Sequence, residues 1–242
     1  MKQLEILWED ADYVAVNKPA GILTIPDRYN AEIPNLLAYL RTQYDNIYVT
    51  HRIDKDTSGV VIFAKNEAAH AHLNQQFEEH TVQKTYLTLV IGKTPAEGSI
   101  DFRIMEDPRR PGKMEAHPKI GKPALTTFKT LHYFAPKFSL VEVYPKTGRT
   151  HQIRVHFLAI GFPLAIDNWY GGQEGILLSS FKKKFKLSKE AESEKPIMNR
   201  LTLHASAIRF KHISNEAEVE VKAPLPKDFQ ALLTQLEKAT KK

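Results

Sequence analysis

His51-Arg52-Ile53-Asp54-Lys55-Asp56-Thr57-Ser58-Gly59 runs straight into Val60-Val61-Ile62-Phe63-Ala64. The five apolar residues, rich in β-branched side chains, predict a buried strand. The run before them puts an acid, a base and small turn formers at the strand's entrance, where a rigid scaffold presents reactive groups. Aspartate ahead of Thr-Ser-Gly also suits a turn or a cap. Position alone therefore leaves Asp54 either a turn former or a reactive carboxylate, while Asp56 fits the turn.

Upstream, Leu4–Leu7 and Tyr13–Val16 predict two short strands joined by the acidic turn Glu9-Asp10-Ala11-Asp12. Asn17-Lys18-Pro19-Ala20-Gly21 then breaks the chain. Asn35–Tyr44 predicts a short helix with Leu36, Leu37 and Leu40 inward. Downstream, Asn66 suits a helix N-cap, and Ala69, Leu73 and Phe77 form a stripe at four-residue spacing. Thr85–Ile91, Phe128–Leu131 and Ser139–Tyr144 read as strands. Thr150–Ile160 reads as a helix ended by Gly161. Leu201–Phe210 and Ala217–Val221 restore the β pattern, and Phe229–Leu236 forms a last amphipathic helix. Strands dominate with scattered helices, which predicts an α+β fold on a large mixed or mostly antiparallel sheet flanked by helices.

A chain of 242 residues forms one large domain or two small ones. Hydrophobic content of 42% and charged content of 26% are those of an ordinary globular protein. No apolar run reaches the roughly 18 residues of a membrane span. The start, Met-Lys-Gln-Leu-Glu-Ile-Leu-Trp-Glu-Asp, carries acids where a signal peptide is apolar, which argues against secretion. With no cysteine there is no disulfide, thiol nucleophile or cysteine-ligated metal, in keeping with a cytoplasmic location. A net charge of +6 favours a polyanionic partner such as RNA without requiring one. Gly175–Asn199 departs from the regular pattern, with Lys182, Lys183, Lys184, Lys186 and Lys189 followed by Glu190, Glu192 and Glu194. It reads as a lysine-rich loop or insertion, with an RNA-contacting cluster as the sharper alternative. Phe181 and Phe185 favour some local helix.

Four segments occur in a specific order: Asn17–Gly21, His51–Gly59, Lys84-Thr85-Tyr86, and Gly148-Arg149-Thr150-His151-Gln152-Ile153-Arg154-Val155-His156. Leu203-His204-Ala205 and Pro224-Leu225-Pro226-Lys227-Asp228-Phe229 extend the set. Together they resemble the RluA-type RNA pseudouridine synthases, with HRIDKDTSG standing for that family's HRLDxxTSG. Ile53 and Val60-Val61 replace commoner leucines, which are conservative core exchanges. The resemblance implies a pseudouridine synthase fold over residues 1–242 as a single catalytic domain, with the active-site cleft across its middle. The chain begins directly at this domain, so RNA selection is expected to rest on it alone.

Pseudouridine formation breaks the bond between uracil and the ribose anomeric carbon, turns the base and rejoins it through carbon 5. The resemblance makes Asp54 the essential residue, either as a nucleophile on the sugar or as a base at the neighbouring carbon. A dry pocket raises a carboxyl pKa; Arg154 is the family's cation for keeping Asp54 ionised. Tyr86 matches the active-site tyrosine, able to stack on the extruded base and to assist removal of the carbon 5 proton. Arg52, Ile153, Lys18, Arg149 and His151 are the expected substrate-binding residues. Arg52 would fill the vacated space or hold the flipped nucleotide, Ile153 would line the pocket, and Lys18 would reach a phosphate or simply face solvent. The target must leave its stack, which favours uridines in loops or distorted stems.

His51 reads better as a hydrogen-bonded structural histidine than as a catalytic one. His70 and His72, and His151 and His156, have spacings unsuited to shared ligation, and no helical His-Glu-x-x-His is present, so no metal is expected. A redox-neutral isomerisation needs no cofactor. The expected partner is a ribosomal or transfer RNA stem-loop, bound by a monomer away from membranes. Two other readings compete. An RNA-binding or RNA-folding protein on the same fold has no need of a lone carboxylate facing a polyanion. A metal-dependent nuclease needs several clustered carboxylates, and only Asp54 and Asp56 lie near the motif.

Overall fold

The computed structural model describes residues 4–30, 32–134, 136–182, 185–186 and 193–240. The chain opens with β1 (Glu5–Glu9), β2 (Tyr13–Lys18), α1 (Leu36–Leu40), β3 (Tyr48–Val49) and β4 (Ser58–Ala64). Next come α2 (Glu67–Glu78), β5 (Gln83–Ile91), β6 (Glu97–Asp101), β7 (Arg103–Glu106) and β8 (Met114–His117). β9 (Leu125–Phe134), β10 (Phe138–Pro145), α3 (Gln152–Ala159), β11 (Leu203–Lys211), β12 (Glu218–Lys222) and α4 (Lys227–Thr240) complete it. Among the described residues ten strands belong to one sheet, and β7 and β8 form a separate antiparallel ribbon. The sheet is mixed: β4 and β11 pair in parallel, whereas β1–β2, β2–β4, β6–β9 and β11–β12 are antiparallel. The α+β expectation with a large mixed sheet is met.

Two compact units divide the chain. The first comprises Met1–Tyr86, Tyr144–Thr147 and Leu203–Pro224; the second comprises Leu87–Val143, Gly148–Thr202 and Leu225–Lys242. In the first, every residue of β4 is buried, as the run Val60–Ala64 predicts. The strand starts two residues early because Ser58 and Gly59 pair with His204 and Ala205 of β11. Buried His204 locks this junction: its Nε2 donates to the Ala223 carbonyl at 3.3 Å, and its Nδ1 meets the Ser58 hydroxyl at 3.0 Å. Gly59 has φ +120°, and a Cβ there would lie 2.1 Å from the Ala205 carbonyl oxygen. Only glycine allows that approach. Gly59→Ala is expected to cost about 3 kcal/mol or more, because the obstacle is backbone that cannot step aside. Urea unfolding checks this.

α1 and α2 begin on the caps their sequences predict. Asn35 accepts from the Ala38 N–H and Asn66 from the Ala69 N–H, each at 2.9 Å. α1 is shorter than Asn35–Tyr44, though Leu36, Leu37 and Leu40 are buried as expected.

In the second unit α3 is bound to β9 by its own polar residues. Gln152 Nε2 donates to the Leu125 carbonyl and to the Thr126 hydroxyl, both at 3.0 Å. Buried His156 receives the Thr126 hydroxyl at Nδ1 (2.9 Å) and donates from Nε2 to the Phe102 carbonyl (3.3 Å). Burial lowers its pKa, so the ring stays neutral in this network. Gln152 and His156 of the fourth segment are thus structural. α4 buries Phe229, Leu232, Leu233 and Leu236 in a cluster with Leu89 and Phe138.

β3, β6, β7 and β8 carry no sequence expectation. Asp107-Pro108-Arg109-Arg110-Pro111-Gly112 disguises the β7–β8 ribbon as a loop, since proline and glycine mask the short alternations beside it. Within Gly175–Asn199, residues 183–184 and 187–192 lie outside the described residues, including Lys183, Lys184, Lys189, Glu190 and Glu192. Leu178–Ser180 forms a single 3-10 turn, and Phe181 packs against the α4 cluster.

Candidate active site

Half-buried Asp54 lies in a loop held at several points. The Thr50 hydroxyl donates to the Ile62 carbonyl at 2.7 Å, and His51 Nε2 accepts the Ile62 N–H at 3.0 Å. The Thr24 hydroxyl donates to the Ile53 carbonyl at 3.1 Å, and the Asp54 carbonyl accepts the Thr57 N–H at 3.1 Å. The Lys55 carbonyl accepts both the Gly21 N–H (2.9 Å) and Lys18 Nζ (2.8 Å). A reactive carboxylate benefits from such support, because small displacements carry large rate penalties.

Lys18 corrects an expectation. It is fully buried, and its ammonium donates to the carbonyls of Pro19 (3.0 Å), Ile22 (2.6 Å) and Lys55 (2.8 Å). These carbonyls take its three donors, so Lys18 neither faces solvent nor reaches a phosphate; it clamps the Asn17–Gly21 turn onto the Asp54 loop. Lys18→Met strands these acceptors and is expected to cost about 1–3 kcal/mol of stability. Turnover should fall more than RNA affinity, which paired melting and binding curves would reveal.

Tyr86 packs beside the first unit's core, and its phenol pKa is raised, first by burial and then by the negative charge of Asp54. The hydroxyl therefore keeps its proton across the physiological range. Arg52 is exposed on the same loop as Asp54. Lys84, two residues before Tyr86, projects to the same face of β5. It donates to the Thr147 carbonyl at 3.1 Å, and burial with the Lys146 charge lowers its pKa to about 8. Lys84 carries no expected role in the sequence beyond its place in the Lys84-Thr85-Tyr86 segment; its same-face spacing with Tyr86 is the available signal.

His51 is structural, as expected. Its ring lies 5.0 Å from that of Phe77, and burial, aided by the Lys84 charge, pushes its pKa down to about 3. The unfolded chain therefore takes up a proton at this position between about pH 6.5 and 3 that the folded chain refuses. Its contribution to stability is complete above that window and is lost as pH falls through it. The urea midpoint should decline over this range, less steeply in His51→Gln.

In the second unit, Arg154 is buried and grips Asp167 with both arms, Nε to Oδ2 at 2.8 Å and Nη2 to Oδ1 at 2.9 Å. Such a bidentate pair fixes the plane of the guanidinium. Asp167 Oδ1 also accepts the Trp169 and Tyr170 N–H groups at 3.0 and 3.2 Å. The guanidinium carbon lies 4.8 Å from the Tyr170 ring centre and 5.7 Å from that of Trp169. His151, at φ +54°, holds the Tyr170 hydroxyl with Nδ1 at 2.7 Å. Ile153 is buried, and Arg149 Nε donates to the Pro123 carbonyl at 3.1 Å. Asp167 and Tyr170 are residues the sequence did not single out. Their only sequence signal was an acid at the end of the apolar run Phe162–Ile166.

Asp10, Asp12 and His212 bring potential ligand atoms within 4.8 Å of one another. The Ser214 N–H donates into His212 Nδ1 at 3.1 Å, which leaves the ring proton on Nε2, bonded to Asp10 at 2.7 Å. In this state the three side chains form a hydrogen-bonded clasp.

Residues 12–159 match the family model described as RNA pseudouridylate synthase. The chain belongs to this family, in its RluA-type branch. It is 35% identical over 223 residues to the "Dual-specificity RNA pseudouridine synthase RluA" of Escherichia coli O157:H7, covering 91% of this chain and 93% of that one. It is 36% identical over 237 residues to the "Uncharacterized RNA pseudouridine synthase YhcT" of Bacillus subtilis, covering 95% of this chain and 71% of that one. Among solved structures, "Human RNA Pseudouridylate Synthase Domain Containing 1" superposes with a TM-score of 0.70 at 27% identity, covering 99% of this chain and 95% of that one. The protein is an isomerase that converts uridine in RNA to pseudouridine, and the RNA-folding alternative is not favoured. No helix among the described residues is long and apolar enough to cross a membrane.

Proposed function

We propose that Asp54 carries out this isomerisation on a uridine in a ribosomal or transfer RNA stem-loop, with Tyr86 and Arg154 acting on the same nucleotide. The bond from the anomeric carbon to uracil N1 breaks, the base turns, and a carbon–carbon bond forms to C5. The C5 proton leaves and N1 gains one, so atoms and electrons balance without an oxidant. Asp54 serves as nucleophile on the sugar or as base at the adjacent carbon. Tyr86 stacks on the extruded base, and its oxygen takes up the C5 proton as its own phenolic proton passes to water. Arg154, aimed by Asp167, supplies the positive charge that complements Asp54, and Ile153 lines the pocket. Arg52, Arg149 and His151 contact the RNA around it. The observation that carries this reading is the charge of Asp54 acting on the Tyr86 phenol, from a loop held by hydrogen bonds at Ile53, Asp54, Lys55 and Thr57.

One catalytic domain over residues 1–242, working as a cytoplasmic monomer without metal or cofactor, completes the proposal. The dual specificity in the name of the Escherichia coli relative favours loops presented by more than one RNA. Mapping pseudouridines in ribosomal and transfer RNA from cells with and without the gene tests it. The expected result is the loss of one or a few defined sites; unchanged maps in both RNA classes contradict it.

A further inference from the structure

The β7–β8 ribbon and the turn ahead of α3 border a half-open cavity of about 510 Å³ within the second unit. That size falls in the range of small-ligand sites, about 300–1,000 Å³. Its floor depends on Gly121 at φ +108°, where a Cβ would lie 2.6 Å from the Ile104 carbonyl oxygen. Glycine lets the next residue zip onto β7, with Lys122 and Ile104 exchanging two backbone hydrogen bonds of 2.9 Å.

The lining is amphipathic and partly uncompensated. Met114, on the same ribbon face as its cross-strand partner Glu106, supplies a soft apolar wall that moulds to a flat ring, and Met105 borders the cavity from the next position along β7. Lys122 and Arg149 both line the cavity, and neither has a carboxylate partner among the described residues. Glu106 also lines it, its Oε1 tied to the Gly112 N–H at 3.0 Å while Oε2 holds no hydrogen bond among the described residues. Two cations beside an apolar slot that also offers a carboxylate match a ligand with a phosphate, a planar ring and an amino edge.

We propose that this cavity binds a second nucleotide of the substrate RNA, apart from the target uridine, whose base carries an exocyclic amine. This rests on RNA being the substrate, as above. The phosphate meets Lys122 and Arg149, the base lies against Met114, and Glu106, on the same face of the ribbon, accepts from its amino group. Uracil is disfavoured because two carbonyl oxygens flank its single ring N–H and face the carboxylate. The site would thus select sequence context next to the modified position.

The chain has four methionines, and two of them line the cavity. Methyl NMR of methionine-labelled full-length protein reads it directly, with Met198, buried in the α4 cluster, as internal reference. Titration with cytidine, guanosine and adenosine 5′-monophosphates is expected to shift Met105 and Met114 saturably and to leave Met198 still. Uridine monophosphate should bind more weakly. Arg149→Ala and Lys122→Ala should each weaken binding about tenfold or more, the scale of a lost charged hydrogen bond. Glu106→Gln should narrow the preference over uridine monophosphate. Absence of saturable Met105 and Met114 shifts overturns the proposal. So does an equal response to inorganic phosphate, or one shared by Met198. The readout needs no turnover: pseudouridine formation without these shifts refutes the second site alone, whereas shifts without pseudouridine formation on any RNA refute the catalytic reading alone.

Discussion

Asp54→Asn is expected to fold normally, bind RNA with near-wild-type affinity and lose turnover by several orders of magnitude. The exchange is isosteric, and it leaves in place the loop hydrogen bonds made by Thr24, Thr50, His51 and Lys18. Phosphate contacts carry most RNA affinity, and one neutralised carboxylate does not weaken them. The amide can neither attack an anomeric carbon nor accept a proton there. Each tenfold loss corresponds to about 1.4 kcal/mol of transition-state stabilisation. Removing the Asp54 charge should also lower the Tyr86 phenol pKa, since that charge helps to raise it. Matched melting curves and RNA-binding isotherms separate this outcome from misfolding.

The second large effect is expected at Asp167. Asp167→Ala removes the bidentate partner of buried Arg154 and the acceptor for the Trp169 and Tyr170 N–H groups. Breaking a buried pair from one side costs about 3–5 kcal/mol, a large share of the stability of an ordinary domain. Asp167→Asn keeps the shape and loses the charge, so it should melt higher than Asp167→Ala yet leave the guanidinium poorly oriented. If both variants melt like wild type and turn over normally, the positioning role assigned to Asp167 is wrong.

Most elements were legible in the sequence because a local signal coincided with a buried face. The β-branched run Val60–Ala64 is fully buried, and Asn35 and Asn66 cap helices as their side chains dictate. What stayed hidden was set by contacts remote in the chain. Ser58 joins β4 by pairing with His204 of β11, 146 residues later, and Gly59 by lying between Ala205 of β11 and Lys18 of β2. Lys18 is a clamp because three carbonyls from two separated segments converge on it, which no local pattern encodes. The β7–β8 ribbon was masked by its Pro-Arg-Arg-Pro-Gly turn, and with it the cavity and its uncompensated cations. Asp54 was read from a motif, but Asp167 was not, because an acid at the end of an apolar run does not announce which arginine it will hold.

The central claim is that the Asp54 carboxylate moves uracil from N1 to C5 on the same ribose. Release of tritium from RNA labelled at uridine C5, followed in EDTA together with pseudouridine yield, tests it most directly. Wild-type protein should release tritium in step with pseudouridine formed, with RNA mass otherwise unchanged, and Asp54→Asn should release none above background. Near-normal release by Asp54→Asn would contradict the account.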